Sequence, residues 1–565
     1  MIDATPAHPP RLSWKFPRTF WFANAAELCE RAAYYGMFIT LYRYLNIDVG
    51  FTDPQTGLVT ALFAGGIYLL PTFMGIMADK IGFKKALMLA FTLLTAGYAL
   101  LGAFQLKLTA VAALALVMVG GAIIKPVISG TVAKCSDAAH RARAMSIFYM
   151  VVNIGSFSGK GLAAELNARL GLQYINFYAA GMSFAALLLV AVFYRNVDTV
   201  GVGKTFGEAL RGLWKVMRHF RFLSLILIIA GFWLIQGQLY GAMPTFIERI
   251  LGKGYRPEWL ANINPLVVVL LVVPITHLVR NFRPDSAIGI GLLIIPFTAL
   301  VVALGSYLEK ALGGSLSLGP LTVHPLILMI IIGIALQGLA ECFLSPKFLE
   351  YASKQAPPGE VGLYLGYQHL TTFFAWLAGF LAAGFLLNHY CPDPRTLEPA
   401  TRHQWRSAID PHYRFTLPGE LRELLEGDEV VPDSVREVFA AHGLEVAPDA
   451  RLIAEPTRER WDRDPELRWT VVSNGVTYTL QDAKLETTAA ARADGRPSAL
   501  REILVSSSIP RPPDQVPPLP AQYASAHYIW FAFTGVGVCA FLALLVFKFV
   551  TAAIDRRRAG PLAAS

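Results

Sequence analysis

Three ionisable residues stand in the middle of an apolar run near the start of the chain. Glu27, Glu30 and Arg31 occur in the stretch NAAELCERAAYYGM, and their i, i+3, i+4 spacing places all three on one face of a helix. Two further charges, Lys125 and Glu341, lie inside later apolar runs. A carboxylate that faces a cation can exchange that partner for a proton or for a charged group of a solute. These residue types therefore predict a site that binds protons and a charged solute.

The surroundings of these charges are hydrophobic, so each charge is unfavourable there unless it is paired or faces water. We interpret the three carboxylates and two cations as a mutually compensating set that faces the interior of a helical bundle. Structural ion pairs that only lock helices together are the alternative interpretation. No catalytic motif supports an enzyme. We expect no metal site and no cofactor, with protons as the coupling ion.

The rest of the chain has the composition of a membrane protein. It has 565 residues, of which 54% are apolar and 16% are charged, against roughly 25% charged residues in soluble proteins. Apolar runs of about 20 residues recur along it and indicate membrane-spanning helices. We predict twelve spans, near residues 19–46, 55–78, 84–104, 109–132, 144–166, 172–194, 222–248, 258–279, 286–308, 323–350, 360–389 and 526–550.

Lys and Arg residues are concentrated in the N-terminal segment and in alternate loops between the predicted spans. The positive-inside rule therefore predicts that both termini are cytoplasmic, in a protein of the inner or plasma membrane. The same rule accounts for the formal net charge of +9, so that nucleic acid is not expected as a partner and the lipid bilayer is.

The predicted spans form two groups of six, joined by a basic and partly amphipathic link. This arrangement is typical of transporters whose halves rock around a central site. The predicted segments are an N-terminal six-helix bundle (1–194), a cytoplasmic linker (195–221), helices 7–11 of the second bundle (222–389), a polar insert (390–524), and helix 12 with a basic cytoplasmic tail (525–565).

The insert separates the eleventh and twelfth predicted spans, and the predicted orientation places it outside the cytoplasm. Its stretch RWTVVSNGVTYTL predicts a β-hairpin, because Asn474 and Gly475 favour the left-handed turn between alternating strands. Helix-like pieces at 418–428 and 432–443 precede the hairpin, and a Pro-rich segment at 509–520 follows it. We therefore predict a small α+β soluble insert, for which the sequence indicates no partner.

The loop after the second predicted span reads GIMADKIGFKK. Gly75 and Gly82 allow a tight turn and close helix approach, while Asp79 can accept hydrogen bonds at the start of a helix. Lys80 adds to the basic side of the membrane. The loop resembles the signature loop of the major facilitator superfamily, which implies a role for these four residues in conformational gating.

Seven stretches together resemble one family, the proton-dependent oligopeptide transporters of the major facilitator superfamily. They are ELCERAAYYGM, YLLPTFMGIMAD, GGAIIKPVISG, FYMVVNIGSF, FWLIQGQ, INPL and ECFLSP, and they occur in the family's order. The resemblance covers most of the membrane part and does not extend to the insert. It implies an all-α membrane fold of twelve helices in two six-helix halves, to which the α+β insert is added.

The same resemblance implies a proton-coupled symporter that imports di- and tripeptides by alternating access. Glu27, Glu30, Arg31 and Lys125 would form the proton-coupling group. Arg31 and Lys125 would also face the peptide carboxylate, and Glu341 the peptide amino group. The other positions expected to bind the peptide are Tyr34, Tyr68, Asn153, Trp233, Gln238 and Asn264.

Several positions depart from the family's pattern. Ala32 stands where Phe is usual, Gly237 where bacterial members often have Glu, and Gln368 where a pocket Trp is expected; Trp376 is two turns further on. These changes bear on substrate size and identity, so transport of a non-peptide anion or an amphipathic solute is one alternative. A membrane sensor or scaffold that no longer transports is another, which the retained charges disfavour.

Overall fold

The computed structural model describes residues 16–137, 140–197, 205–252, 254–312, 315–318, 321–355, 364, 366–410, 451–456, 467–473, 476–481, 484–487 and 516–559. The chain divides into two compact units. The first, here called the membrane unit, comprises Met1–Glu248, Lys253–Cys391 and Ser525–Ser565. The second, here called the insert unit, comprises Arg249–Gly252 and Pro392–Ala524.

The first half of the membrane unit consists of long apolar helices that follow the predicted spans closely. Short turns join them, as expected for antiparallel neighbours. Their bounds are α1 (Arg18–Ile47), α2 (Asp53–Leu69), α3 (Pro71–Ile81), α4 (Phe83–Ala103), α5 (Lys107–Lys134), α6 (Arg141–Arg169) and α7 (Leu172–Phe193).

The second predicted span is broken in two. Helices α2 and α3 meet at Leu70 with a bend of 50°. Pro71 opens α3, and its ring nitrogen has no hydrogen to donate to the preceding turn, which explains the break. Gly82, with a φ of 88°, then turns the chain directly into α4.

The second half follows a short linker helix and has one further interruption. The helix that begins at Phe220 tightens into a 3₁₀ turn at Gly237–Leu239 before it continues. The helices are α8 (Phe206–Met217) in the linker, then α9 (Phe220–Gln236), α10 (Ala242–Leu251), α11 (Pro257–Leu260), α12 (Ile263–Leu278), α13 (Pro284–Leu312), α14 (Pro325–Gln355), α15 (Leu370–Tyr390) and α17 (Tyr528–Ala559), with α16 (Pro399–Ile409) in the insert unit.

Among the described residues, nine helical segments are long and apolar enough to cross a membrane, or ten if the bent pair α2–α3 is one span. Helices α1 and α6, of 30 and 29 residues, are long enough but more polar, because each contains several Lys, Arg or Glu residues. Counting both would give the expected twelve, and that number stays a prediction.

Two β-elements complete the described chain. The first is a short hairpin that links α13 and α14 and that the sequence did not indicate, β1 (Leu316–Leu318) with β2 (Leu321–Val323). The second is an antiparallel four-stranded sheet in the insert unit, formed in chain order by β3 (Arg451–Pro456), β4 (Leu467–Ser473), β5 (Val476–Gln481) and β6 (Lys484–Thr487).

The predicted hairpin of the insert is confirmed by the pairing of β4 with β5. The ladder runs up to the pair Ser473 and Val476, on either side of Asn474 and Gly475. Those two residues, the helix-like pieces at 418–428 and 432–443, and most of the Pro-rich segment lie outside the described residues.

Hydrogen bonds and ion pairs join the first residues of the insert unit to one another. Burial alone would raise the pKa of the Asp393 carboxyl, but hydrogen bonds from Arg395 and the charges of Arg395 and Arg249 hold that pKa below its usual value. The Asp393 carboxylate accepts from the backbone N–H of Arg395 at 2.9 Å. Trp405 of α16 donates to the backbone carbonyl of Arg249 at 2.8 Å, which ties the short piece 249–252 into this unit.

Glycines bring the two halves of the membrane unit into backbone contact. A Cβ at Gly57 of α2 would lie 2.6 Å from the Phe380 carbonyl oxygen, and one at Gly384 of α15 would lie 2.6 Å from the Asp53 carbonyl oxygen. Both are backbone neighbours that cannot rotate away. Helices α2 and α15 therefore touch only because neither has a side chain here.

Replacing Gly57 with Ala should destabilise the membrane unit by about 1–3 kcal/mol, because overpacking forces α2 and α15 apart. The measurement is thermal unfolding of the purified protein in detergent. Gly121→Ala is the matched control, since outside its own stretch of helix no heavy atom of the described residues lies within 4 Å of a Cβ at that glycine. Equal melting temperatures for the two variants would contradict the close contact.

Candidate functional site

A cavity of about 240 Å³ lies between the two halves of the membrane unit. The first half contributes α1, α2 and α6 to its wall, and the second half contributes α9, α12, α14 and α15. Several residues predicted to bind substrate line it: Tyr68, Asn153, Trp233, Asn264 and Glu341. Further lining residues were not predicted to bind substrate: Tyr35, Tyr149, Val152, Ser156, Lys160, Gln236, Gly237, Tyr240, Pro265, Val268 and Trp376.

The three charges of α1 are brought together as their spacing predicts. The Arg31 guanidinium nitrogen Nε lies 2.9 Å from Glu27 Oε1 and 2.5 Å from Glu30 Oε2. All three side chains are buried. Two carboxylates thus share one guanidinium, so protonation of either still leaves Arg31 one anionic partner.

Helix α6 approaches this cluster through two glycines of the stretch NIGSFSG. A Cβ at Gly155 would lie 2.6 Å from the Arg31 Cβ, and one at Gly159 would lie 2.3 Å from the carbonyl oxygen of Ala32. The departure at position 32 therefore falls on the contact between α1 and α6, where the backbones are too close for a Phe facing α6.

Lys125 of α5 reaches the site through an aromatic ring. Its ammonium nitrogen lies 3.7 Å from the centroid of the Tyr68 ring, a cation–π contact, and Tyr68 lines the cavity. The carboxylates of Glu27 and Glu30 act on it electrostatically. Its nearest contact is thus an aromatic ring, and its role as the cationic partner stays a prediction.

Glu341 of α14 is held by the second half of the molecule. Its Oε2 accepts a hydrogen bond of 2.6 Å from the Gln236 side chain, and both residues line the cavity. The sequence had indicated Gln238 instead. That amide donates to the carbonyls of Leu234 and Gly379, at 2.9 Å and 3.2 Å, and so joins α9 to α15 outside the cavity lining.

The remaining predicted substrate contacts lie behind the cavity wall. Among the lining residues that the structure describes there is no Arg31, Tyr34 or Lys125. The Tyr34 ring stacks on Phe38 with centroids 5.2 Å apart, while its neighbour Tyr35 faces the cavity. Their roles in binding are therefore predictions for a state in which the cavity extends further.

The departure at Gly237 is explained by one neighbouring residue, Trp376. A Cβ at Gly237 would lie 3.2 Å from the Trp376 indole, so the glycine makes room for the ring. Trp376 lines the cavity and packs edge-on against Tyr68, with ring centroids 4.9 Å apart. Gln368 is not among the described lining residues. Trp376 thus places an indole ring in the cavity wall.

Lys160 of α6 is the charged residue that the sequence reasoning missed. It is 1% exposed, and its ammonium donates to the Ala261 carbonyl at 3.3 Å. The five charges predicted from the sequence are three carboxylates and two cations, which leave a net charge of −1, so the interpretation that they compensate one another was wrong. Lys160 adds a third cation, with which the set is neutral. Its position seven residues after Asn153, on the same helical face, is the signal that could have revealed it.

At one end of the membrane unit, a second buried charge network joins the two halves. Arg43 of α1 pairs with Glu248 of α10 at 3.2 Å and also with Glu258 of α11. Asn167 of α6 donates to Glu258 at 3.1 Å. This end is closed by ion pairs that cross between the halves.

The loop predicted to act in gating forms the turn between α3 and α4. Gly75 faces the Pro126 ring, with a Cβ position 3.4 Å from it, and Gly82 takes the positive φ that turns the chain. Asp79 and Lys80 lie in the last turns of α3. This geometry is that of a tight inter-helix turn, and the gating role stays a prediction.

A sequence model of the Major Facilitator Superfamily matches residues 25–314, more than half of the chain. The chain belongs to the Major Facilitator Superfamily. Together with the apolar helices, this makes the facilitator a multi-pass membrane transporter rather than an enzyme.

Relatives of this facilitator carry names of two kinds. "Dipeptide and tripeptide permease A" of Klebsiella pneumoniae is 25% identical over 68% of this chain and 87% of the permease. "Multidrug resistance protein MdtH" of Cronobacter sakazakii is 23% identical over 56% and 74%. A crystal structure of a POT family transporter in complex with 5-aminolevulinic acid matches with a TM-score of 0.57 at 18% identity, covering 67% of this chain and 92% of that one. The resemblance to the peptide transporter family is thereby confirmed.

Replacing Arg43 with Met should lower stability by about 3–5 kcal/mol, because two carboxylates would then lose their shared cation in a buried setting. Thermal unfolding in detergent measures the loss. Arg169→Met is the matched control, since the Arg169 side chain is 80% exposed and pairs with Glu165 only at 4.0 Å, so it should change stability by less than about 1 kcal/mol. A small loss at Arg43 would mean that the network does not hold this end closed.

Proposed function

We propose that this facilitator is a proton-coupled symporter that imports di- and tripeptides through the cytoplasmic membrane. The observation that carries the proposal is the charge arrangement at the cavity, where Glu341 of the second half and Lys160 of the first half both line the wall. Two further cations of the first half, Arg31 and Lys125, lie behind that wall. Peptides have an amine at one end and a carboxylate at the other, which such a dipolar site complements. The relatives named as dipeptide and tripeptide permeases support the same substrate class.

In this mechanism the peptide amine binds Glu341, whose orientation Gln236 fixes by its hydrogen bond. The peptide carboxylate is drawn toward Arg31 and Lys125 on the other half. Between them, the Trp376 indole N–H is buried and has no acceptor among the described residues, so it is free to donate to a peptide carbonyl. Recognition therefore uses main-chain groups that all small peptides share, which permits many side chains.

Proton coupling follows from the shared guanidinium of α1. While both Glu27 and Glu30 are ionised, they hold Arg31 Nε between them. Protonation of one carboxylate frees part of the guanidinium for the peptide carboxylate, so the proton and the peptide bind together. Release of the proton restores the ion pairs and weakens the hold on the peptide.

Alternating access requires that the two halves separate at one end while they close at the other. The contacts that join the halves in this structure include the Arg43 network, the ion pair of Arg256 with Glu165, and the glycine contact of α2 with α15. With both termini cytoplasmic and the insert 390–524 outside, these contacts lie at the outer end, and the structure corresponds to a state closed to the outside. The loop with Gly75, Asp79, Lys80 and Gly82 would then gate the cytoplasmic end.

A second candidate is a non-peptide solute that carries an amine, an anion or an aromatic body. Aromatic rings make up much of the cavity wall, including Tyr35, Tyr240 and Trp376. The structural neighbour that binds 5-aminolevulinic acid and the multidrug relative favour testing this alternative. A competition panel against labelled dipeptide uptake separates the two, because only a non-peptide transporter would take such solutes far better than any dipeptide.

Purified protein in liposomes should accumulate alanyl-alanine when an inward proton gradient is imposed. Glu30→Gln should abolish this accumulation while counterflow of the same dipeptide persists, because the proton step and not the binding step is lost. Glu208→Gln is the control, since that carboxylate is exposed on the linker helix α8 and a glutamine can replace it in the N-terminal capping box of that helix. Gradient-driven accumulation that survives Glu30→Gln would refute the coupling role.

Glu341→Ala should reduce dipeptide counterflow by about tenfold or more, because the peptide amine would lose a charge-assisted partner worth roughly 1.5–3 kcal/mol. Counterflow is the appropriate measurement, since it needs binding and reorientation but no proton gradient. Normal counterflow in Glu341→Ala would show that the amino group binds elsewhere.

A further inference from the structure

Lys160 is the one residue with a Lys or Arg side chain in the described cavity wall. It stands on α6 in line with three polar residues, Tyr149, Asn153 and Ser156, at spacings of four, three and four. These spacings put the four side chains on one face of the helix. The polar face of α6 therefore ends in an ammonium group inside the cavity.

The ammonium of Lys160 has fewer hydrogen-bond acceptors among the described residues than it has N–H donors. It is 1% exposed, and among the described residues its hydrogen-bond acceptor is the neutral Ala261 carbonyl at 3.3 Å. Its other close neighbour is the Tyr35 ring, whose centroid is 5.9 Å away. An ammonium has three donors, and a buried charge with one neutral acceptor gains strongly from an anion.

Glu341, the nearby carboxylate, makes no direct ion pair with Lys160 among the described contacts. Glu341 acts on Lys160 electrostatically, but its Oε2 accepts the short hydrogen bond from Gln236. The two residues project into the same cavity from opposite halves. When the amine of a bound peptide neutralises Glu341, Lys160 loses its counter-charge across the cavity, and a second anion of the ligand can take that place.

We propose that Lys160 forms a subsite for an acidic side chain, so that this transporter prefers peptides whose first residue is aspartate or glutamate. The inference rests on the proposed peptide transport. The first residue is specified because Lys160 shares the cavity with Glu341, which receives the amine of that residue. The peptide carboxylate remains with Arg31 and Lys125.

A purely structural lysine is the alternative. Lys160 could serve only to join α6 to the turn before α12 through the Ala261 carbonyl. Such a lysine would stabilise the protein but would not distinguish an aspartyl peptide from an asparaginyl peptide of almost the same shape. The selectivity between these two ligands is therefore the diagnostic quantity.

The first measurement uses the unmodified protein. Competition against labelled alanyl-alanine in liposomes gives the affinities of aspartyl-alanine, asparaginyl-alanine and alanyl-aspartate at neutral pH. We expect aspartyl-alanine to bind at least tenfold more tightly than asparaginyl-alanine, the factor typical of a charge-assisted hydrogen bond. Alanyl-aspartate should show a smaller advantage, because its extra carboxylate lies on the wrong residue.

The second measurement removes the charge. Lys160→Gln should reduce the aspartyl-to-asparaginyl affinity ratio to about one, and Lys160→Arg should keep most of it. Arg169→Gln, a cation at the exposed end of the same helix, is the matched control and should leave the ratio unchanged. If Lys160→Gln does not fold, the arginine variant and the ligand comparison in the unmodified protein still decide.

The outcomes separate this inference from the function on which it rests. Binding of alanyl-alanine with equal affinities for the aspartyl and asparaginyl peptides overturns the acidic subsite alone. An aspartyl preference that persists in Lys160→Gln overturns the assignment to Lys160. If no dipeptide competes or is taken up, the peptide function and this inference both fail.

Discussion

Charge buried among apolar helices is the constraint on which the architecture depends. Arg31 must meet its two carboxylates on α1, and a cation left alone there would oppose folding of the helix into the bundle. The neighbouring helix α6 packs directly against this cluster. Glycines at 155 and 159 bring α6 within backbone contact of α1, and the same helix then carries Lys160 into the cavity.

Close packing of small residues and buried ion pairs act together at the closed end. The glycine contact between α2 and α15 is geometric and does not depend on protonation, whereas the Arg43 network depends on charge. Two kinds of contact thus join the halves, one insensitive and one sensitive to the ionic environment. Separation of the halves requires both to break.

Much of this could be predicted from the sequence, because the strongest signals are local. Charges at i, i+3 and i+4 in an apolar run predict the Arg31 cluster, and the length of each apolar run predicts its helix. It was harder to predict which residues line the cavity and which lie behind its wall. The 3₁₀ turn after Gln236 rotates Gln238 away from the cavity, and the space left by Gly237 admits Trp376 from another helix. Both depend on tertiary contacts that no single stretch of sequence contains.

The break at Leu70 has a consequence for the whole second span. On one side of it α2 is fixed to α15 through glycine contacts; on the other side α3 leads into the tight turn at Gly82. Because Pro71 cannot donate to the turn before it, few backbone bonds resist a change of angle there. The span thus consists of α2, which is held against α15, and α3, whose angle to α2 can change at Leu70. Tyr68 and its contact with Lys125 lie next to this break. A change in the angle between α2 and α3 would therefore displace Tyr68 and alter the wall of the cavity.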